Sequence, residues 1–174
     1  LGTSGAIQRD IEVGEVLFSR TSLGFDGLIS YYEGRDSVCD LDLERAFAEH
    51  TAWYSKLPAP YFVNAHNDLY ELFKDATREG ITIAAPGFYA PQGRWVRLAP
   101  HDKSLNEKIE SFEYAGRRIT NFEMESSAVA GLARLLGHKA TTVCMVIANR
   151  YAKEMNTEYK NSIETLILKV LDRI

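Results

Sequence analysis

Cysteine is scarce in this chain. There are two in 174 residues, Cys39 in a polar stretch and Cys144 inside an apolar run. That number excludes a disulfide framework, and the spacing excludes a cysteine-ligated metal; a reducing cytoplasm is the simplest compartment. Long apolar runs are missing too. The most apolar segment, ATTVCMVIA (140–148), falls far short of the ~20 residues a membrane-crossing helix needs. Blocks of like charge are absent: 20 Lys and Arg are scattered among 24 Asp and Glu, for a net charge of −4. A nucleic-acid binder would show a basic stripe, so a polyanionic partner is not expected. Neither repeats, nor a linker, nor low-complexity tracts occur. What is present is a composition 45% hydrophobic and 11% aromatic, enough for one folded domain with a substantial core.

The chain opens on LGTSGAI, without Met, as though at the end of a strand entering a Gly-rich turn. The expectation is a single domain over 1–174 that lacks its N-terminal portion. Val13, Val16, Leu17 and Phe18 then have the spacing of a hairpin, or of a strand after a turn at Gly14. TSLGFDGLISYYEGRDSV reads as irregular surface. Helical periodicity returns at Leu41, Leu43, Phe47 and Trp53 with Asp40 as cap, and again in NDLYELFKDATREG, with Gly80 as its stop. ITIAAPG reads as a buried strand, SLNEKIESFEYAG as a helix capped by Ser104, and RRITNFE as a short strand. Beyond it Ala128, Val129, Leu132, Leu135 and Leu136 mark the apolar face of a helix stopped by Gly137. ATTVCMVIANR is a strand buried on both faces, and NSIETLILKVLDRI a closing helix. Alternating strands and helices from Ile81 onward predict an α/β fold, a three-layer α/β/α sandwich around a central mixed sheet.

Ligands of such folds sit in the loops after strand ends, where four segments are unusually polar. GTSG (2–5) offers backbone N–H groups and the hydroxyls of Thr3 and Ser4 to an anion, or is simply a tight turn. FYAPQGR (88–94) combines the Phe88 ring, the Gln92 amide and the rigid two-donor fork of Arg94; this suits a flat heterocycle with carbonyl oxygens, although Pro- and Gly-bearing loops with a solvated Arg are common. In FEMES (122–126), alternation sends Glu123 and Glu125 one way and Met124 the other, so two carboxylates could line one pocket and hold sugar hydroxyls; acidic residues also favour a helix N-terminus for electrostatic reasons alone. Asn149 and Arg150 end the long apolar strand, either facing the same crevice or marking where the strand meets water. His50, His66, His101 and His138 form no metal cluster or catalytic pairing.

Taken in order, GTSGAIQ with VGEVL, FYAPQGR, NFEMESS and VIANR resemble the nucleoside phosphorylase family, and within it the uridine phosphorylases. The resemblance spans nearly the whole chain, except that 25–53 matches poorly. It implies a pentosyltransferase that cleaves a pyrimidine nucleoside reversibly with inorganic phosphate, giving free base and pentose 1-phosphate, with no metal or organic cofactor. It implies that Thr3 contacts phosphate and ribose, that Ser4 and Gly5 line the base site, that Phe88 stacks near the base, and that Gln92 and Arg94 bind the uracil edge. Met124 and Glu125 would hold the ribose, and Arg150 would back the base pocket. Purine-cleaving relatives carry a Ser-Asp pair where Asn149 and Arg150 stand, which points to pyrimidines. The resemblance also implies a homo-oligomer built from dimers, possibly a hexamer, and places further phosphate contacts in a segment before Leu1. A purine phosphorylase or nucleosidase, and a non-catalytic nucleoside-binding module, remain as alternatives.

Overall fold

The computed structural model describes residues 1–152, 154–156 and 158–174. Its strands are β1 (Gly2–Ala6), β2 (Val16–Gly24), β3 (Tyr61–Asn64), β4 (Arg78–Ala84), β5 (Glu113–Tyr114), β6 (Arg117–Glu123), β7 (Val143–Asn149) and β8 (Glu154–Met155). The helices are α1 (Arg35–Val38), α2 (Leu41–Thr51), α3 (Asn67–Phe73), α4 (Leu105–Ser111), α5 (Ser126–Leu135) and α6 (Lys160–Leu171). None is long and apolar enough to cross a membrane.

The sheet is mixed, as expected, and runs β3-β2-β4-β6-β1-β7-β8. It does not remain the flat middle layer of a sandwich. The first residues of β2 also pair antiparallel with β7, Val16 opposite Met145 and Phe18 opposite Val143, so β2, β4, β6, β1 and β7 close into a ring. The length of β2 makes this possible. Its start reaches β7 while its end, Thr21 to Gly24, pairs with β3, and β4 runs parallel to nearly all of it. Around the ring the helices bury three separate apolar groups. One, under α2 and α4, includes Phe25, Phe47, Phe62 and Phe112; another, under α3 and α6, includes Phe18, Phe73, Val143 and Leu166; the third, beneath α5, includes Ile29, Tyr61 and Val63. Each fully buried side chain of this size contributes ~1.5–3 kcal/mol.

Several sequence expectations need correction. Of the expected irregular surface region TSLGFDGLISYYEGRDSV, the first four residues are instead the end of β2, where Thr21, Ser22 and Leu23 are buried, whereas the stretch from Ser30 to Gly34 is exposed as expected. The hydroxyls of β2 disguised that end, because they are satisfied internally. Ser19 Oγ donates to Thr82 Oγ1 at 2.7 Å, Thr82 Oγ1 donates to Asn121 Oδ1 at 3.0 Å, and Thr21 Oγ1 donates to Asn64 Oδ1 at 2.7 Å. Gly80 does not stop a helix; α3 ends at Phe73, and Gly80 lies within β4, where an added Cβ would stand 2.2 Å from Thr120 Cγ2. FEYAG belongs to the β5–β6 hairpin rather than to α4. Ser104 stands at the start of α4 but makes no side-chain cap; its Oγ donates to Asp102. On α5 the buried face is Ser126, Ser127, Ala130 and Gly131, while Val129 and Leu136 are exposed. Small residues let this helix sit close, with the Cα of Gly131 so near Ile29 that a Cβ would meet its Cδ1 at 2.9 Å.

Three turn and cap expectations hold. Gly14 turns the chain with φ 98° before β2, Asp40 accepts from Leu43 N at 3.1 Å to cap α2, and Gly137 ends the α5 region with φ 77°.

Candidate functional site

The segment after β4 is shaped by a tight turn. A 3-10 turn spans Ala90–Gln92, Arg94 N reaches back to Tyr89 O at 2.9 Å, and Gly93 takes the left-handed φ of 69° that glycine adopts without strain. This geometry folds Arg94 back onto its own loop. Its guanidinium lies 4.1 Å from the Phe88 ring centroid, and Nη1 donates to Phe88 O at 3.1 Å and to Gln92 Oε1. The Gln92 amide is buried, and a second guanidinium meets it from the end of β7. Arg150 Nη2 donates to Gln92 Oε1 at 2.8 Å and Nη1 to Gln92 O. Two cationic donors on one oxygen fix which way the amide faces, since Oε1 must point at them and Nε2 away. That nitrogen has no hydrogen-bond partner among the described residues and can serve as a donor.

Three strands support this cluster. Gly5 in β1 is opposite Phe122 in β6 and Ala148 in β7, and an added Cβ at Gly5 would come 4.0 Å from Arg94 Nη2. The Arg150 guanidinium sits 4.2 Å from the centroid of the buried Phe122 ring. From α4, Asn106 Nδ2 donates to Gln92 O at 3.3 Å. Among the described residues, Asn106 Oδ1 and Arg150 Nε in this cluster, and Ser4 Oγ next along β1 from Gly5, are buried without a partner.

The electrostatics follow from burial. Desolvation lowers the pKa of Arg94; Arg150 falls to about 9, first through burial and then through repulsion from Arg94. No carboxylate pairs with either guanidinium among the described residues. Two partly desolvated cations thus stand side by side with no counter-charge.

The two glutamates separate. Glu123, 7% exposed, is consumed by the start of α5: Oε2 accepts from Glu125 N and Ser126 N, both at 2.9 Å, and Oε1 accepts from Ser126 Oγ at 2.5 Å. Burial raises its pKa against these hydrogen bonds. The expectation that it shares a pocket with Glu125 gives way here to the helix-terminus role. Met124 and Glu125 are exposed, just beyond the Phe122 that carries Arg150. Thr3 is half-buried in β1 opposite Met145. Asn149 faces inward, its Nδ2 donating to Gln8 O and Ile11 O at 2.9 and 2.7 Å and its Oδ1 accepting from Tyr151 N and Ala152 N, so of the pair at the end of β7 only Arg150 reaches the cluster.

Phe122 and Asn106 are members that sequence reasoning missed. Phe122 opens FEMES and reads as core, and nothing in the sequence connects Asn106 to a loop fourteen residues away. A cavity of about 480 Å³ lies elsewhere, between Trp53, Tyr54, Pro91 and His101, and includes none of the expected residues. Convergent donors, not cavity size, mark the site. Burial pushes the Cys39 and Cys144 thiols up to about 12, the opposite of the shift that activates a cysteine nucleophile. Among the described residues no three His, Cys, Asp or Glu side chains converge as a metal site would require.

The family description "Phosphorylase superfamily" matches residues 1–173. The chain belongs to that superfamily. It is 29% identical to a uridine phosphorylase of Thermococcus kodakarensis over 162 residues, covering 88% of this chain and 49% of that protein. With a uridine phosphorylase of Escherichia coli it shares 28% identity over 178 residues, 98% of this chain and 61% of the other. A crystal structure of a Trypanosoma brucei nucleoside phosphorylase, described as showing uridine phosphorylase activity, superposes with a TM-score of 0.83 over 99% of this chain and 61% of its own at 24% identity, a likeness of fold. This superfamily chain therefore spans roughly half to three fifths of the length of the relatives it matches.

Proposed function

We propose that this chain carries the base- and ribose-binding side of a uridine phosphorylase, a cytoplasmic pentosyltransferase acting on uridine or a related pyrimidine nucleoside with inorganic phosphate as co-substrate. One observation carries this reading: two half-buried guanidiniums without carboxylate partners among the described residues lock a single buried glutamine amide, leaving a rigid array of donors at the strand ends. Uracil presents carbonyl oxygens in its plane. Phosphorolysis forms a bond from a phosphate oxygen to C1′ while the C1′–N1 bond breaks and its electron pair passes into the base. Negative charge therefore grows on the base carbonyls in the transition state, where Arg94 and Gln92 Nε2 stabilise it more than in the ground state. The absence of a counter-ion makes that site favourable for developing anionic charge, and the fixed array reorganises little as it forms.

Positive charge grows on the sugar at the same time, favoured by phosphate and by the exposed carboxylate of Glu125, which is also placed to accept from ribose hydroxyls. Met124 packs against the sugar, Phe88 against the base, and Thr3 with Ser4 and Gly5 lies along β1 beneath both. Further phosphate contacts come, on this reading, from outside the present chain, and the assembly is a homo-oligomer built on dimers.

The test is nucleoside binding. Uridine titrated calorimetrically into wild-type protein, Arg94→Met and Arg150→Met should show a loss of about tenfold or more in each variant, because each removes a charged hydrogen-bond donor worth ~1.5–3 kcal/mol. Equal affinity across the three proteins would contradict the assignment of the base site.

A further inference from the structure

A second group of arginines gathers at the far end of β6. Arg117 begins that strand and Glu123 ends it, a separation of about 20 Å along the chain direction. Beside Arg117 a cavity of about 430 Å³ is lined by Arg20 of β2, Arg134 of α5 and the Asn64–Asn67 junction between β3 and α3. No carboxylate lines it. We propose that this cavity is an anion site for the phosphate group of a small phosphorylated sugar, separate from the cluster at Gln92 and independent of the uridine reading.

Each guanidinium is held in place, yet its charge is incompletely met. Arg20 lies 4.5 Å from the Tyr70 ring centroid and donates from Nη2 to Asn67 Oδ1 at 2.6 Å, while its Nη1 is buried with no partner among the described residues. Arg117 donates to Asn64 Oδ1 at 3.1 Å, and Arg134 donates to Asn64 O at 2.8 Å. The acids that approach these residues do not line the cavity: Glu79 is 3.8 Å from Arg20 Nε, Asp40 is 3.6 Å from Arg117 Nη2, and Asp68 pairs with Lys139 and stands 3.5 Å from Nδ1 of the lining His66. Arg134 pairs with no carboxylate among the described residues. Three planar forks converging on one space suit a tetrahedral oxyanion, whose oxygens accept several charged hydrogen bonds at once. The space is far larger than phosphate and falls within the usual range of small-ligand pockets, so an organic remainder is expected.

Two probes separate the possible sources of the anion. Ribose 5-phosphate and inorganic phosphate would be titrated into the isotope-labelled full chain while the backbone amides of Ala65, Asn67 and Arg134 are followed by NMR. Saturable shifts at all three, with ribose 5-phosphate binding tighter, are expected. Arg20→Gln and Arg134→Gln should each weaken binding about tenfold, whereas Arg134→Lys should retain most of it and Arg94→Ala all of it. Equal affinity for the two probes would overturn the sugar-phosphate assignment and leave inorganic phosphate. Shifts that fail to saturate, or that survive both Arg20→Gln and Arg134→Gln, would overturn the site itself; because these two residues lie on different elements, misfolding of one variant leaves the other as the test.

Discussion

Replacing Glu123 distinguishes a structural carboxylate from one that binds sugar. In the native chain it accepts three hydrogen bonds at the start of α5, from Glu125 N, Ser126 N and Ser126 Oγ, and is almost wholly buried. Glu123→Ala removes all three and leaves the buried Ser126 N–H unpaired. At ~1–3 kcal/mol for an unsatisfied buried donor, plus ~1 kcal/mol for a lost cap, the expected cost is about 3 kcal/mol. Glu123→Gln keeps an oxygen for the two backbone donors and can turn its amide nitrogen toward Ser126 Oγ, so about 1 kcal/mol is expected. Urea unfolding followed by far-UV circular dichroism measures both. The pH dependence has a definite sign. Burial raises the folded-state pKa of this carboxyl, so its contribution is fully present below the ordinary carboxylate range and diminishes as pH rises through the folded value. Wild-type stability should therefore fall relative to Glu123→Gln over that interval. An alanine variant within 0.5 kcal/mol of wild type, on the ~0.5–2 kcal/mol scale of caps, would refute the capping argument.

Other substitutions probe the frame around the site. Gly80→Val forces a side chain into Thr120 and should destabilise by about 3 kcal/mol or more, read as a fall in the urea midpoint with little change in slope. Gly93→Ala sets a Cβ 2.2 Å from Asn106 Nδ2 at a φ of 69°, so it should shift the Gln92–Arg94 turn; kcat/KM for uridine should drop about tenfold or more while the melting temperature moves by only a few degrees. Asn149→Ala leaves Gln8 O, Ile11 O and the N–H groups of Tyr151 and Ala152 without their partner, and its main effect, measured by thermal unfolding, should be on stability rather than on the substrate affinity of properly folded protein.

Much of the fold could be read directly where the chemistry of a strand is simple. The Ile81–Ala84 half of β4 and most of β7 are largely apolar, and both are buried in the ring. The second half of β2 escaped notice because Thr21 and Ser22 look solvent-facing until the sheet buries them and brings Asn64 to Thr21, and β3 because YFVN is only four residues long. On α5 the largest side chains suggested the buried face, but close packing against Ile29 and Val63 selects Ala130 and Gly131. At the site, Gln92 and Arg94 were legible together because they share a seven-residue loop. Arg150 was legible only as a strand end, since its bond to Gln92 joins residues 58 positions apart. Both roles of Glu123, ligand and cap, fitted the same letters. Only the geometry of the turn into α5 selected the cap.

The most direct test of the central claim is uracil release from uridine by the full-length protein, with and without inorganic phosphate. Release that depends on phosphate, is accompanied by a pentose 1-phosphate, and falls by roughly 10²–10³ in Arg94→Ala is the expected result. Release at the same rate without phosphate would make the protein a nucleosidase, and uridine binding without any release would leave only a nucleoside-binding module; either result would contradict the account.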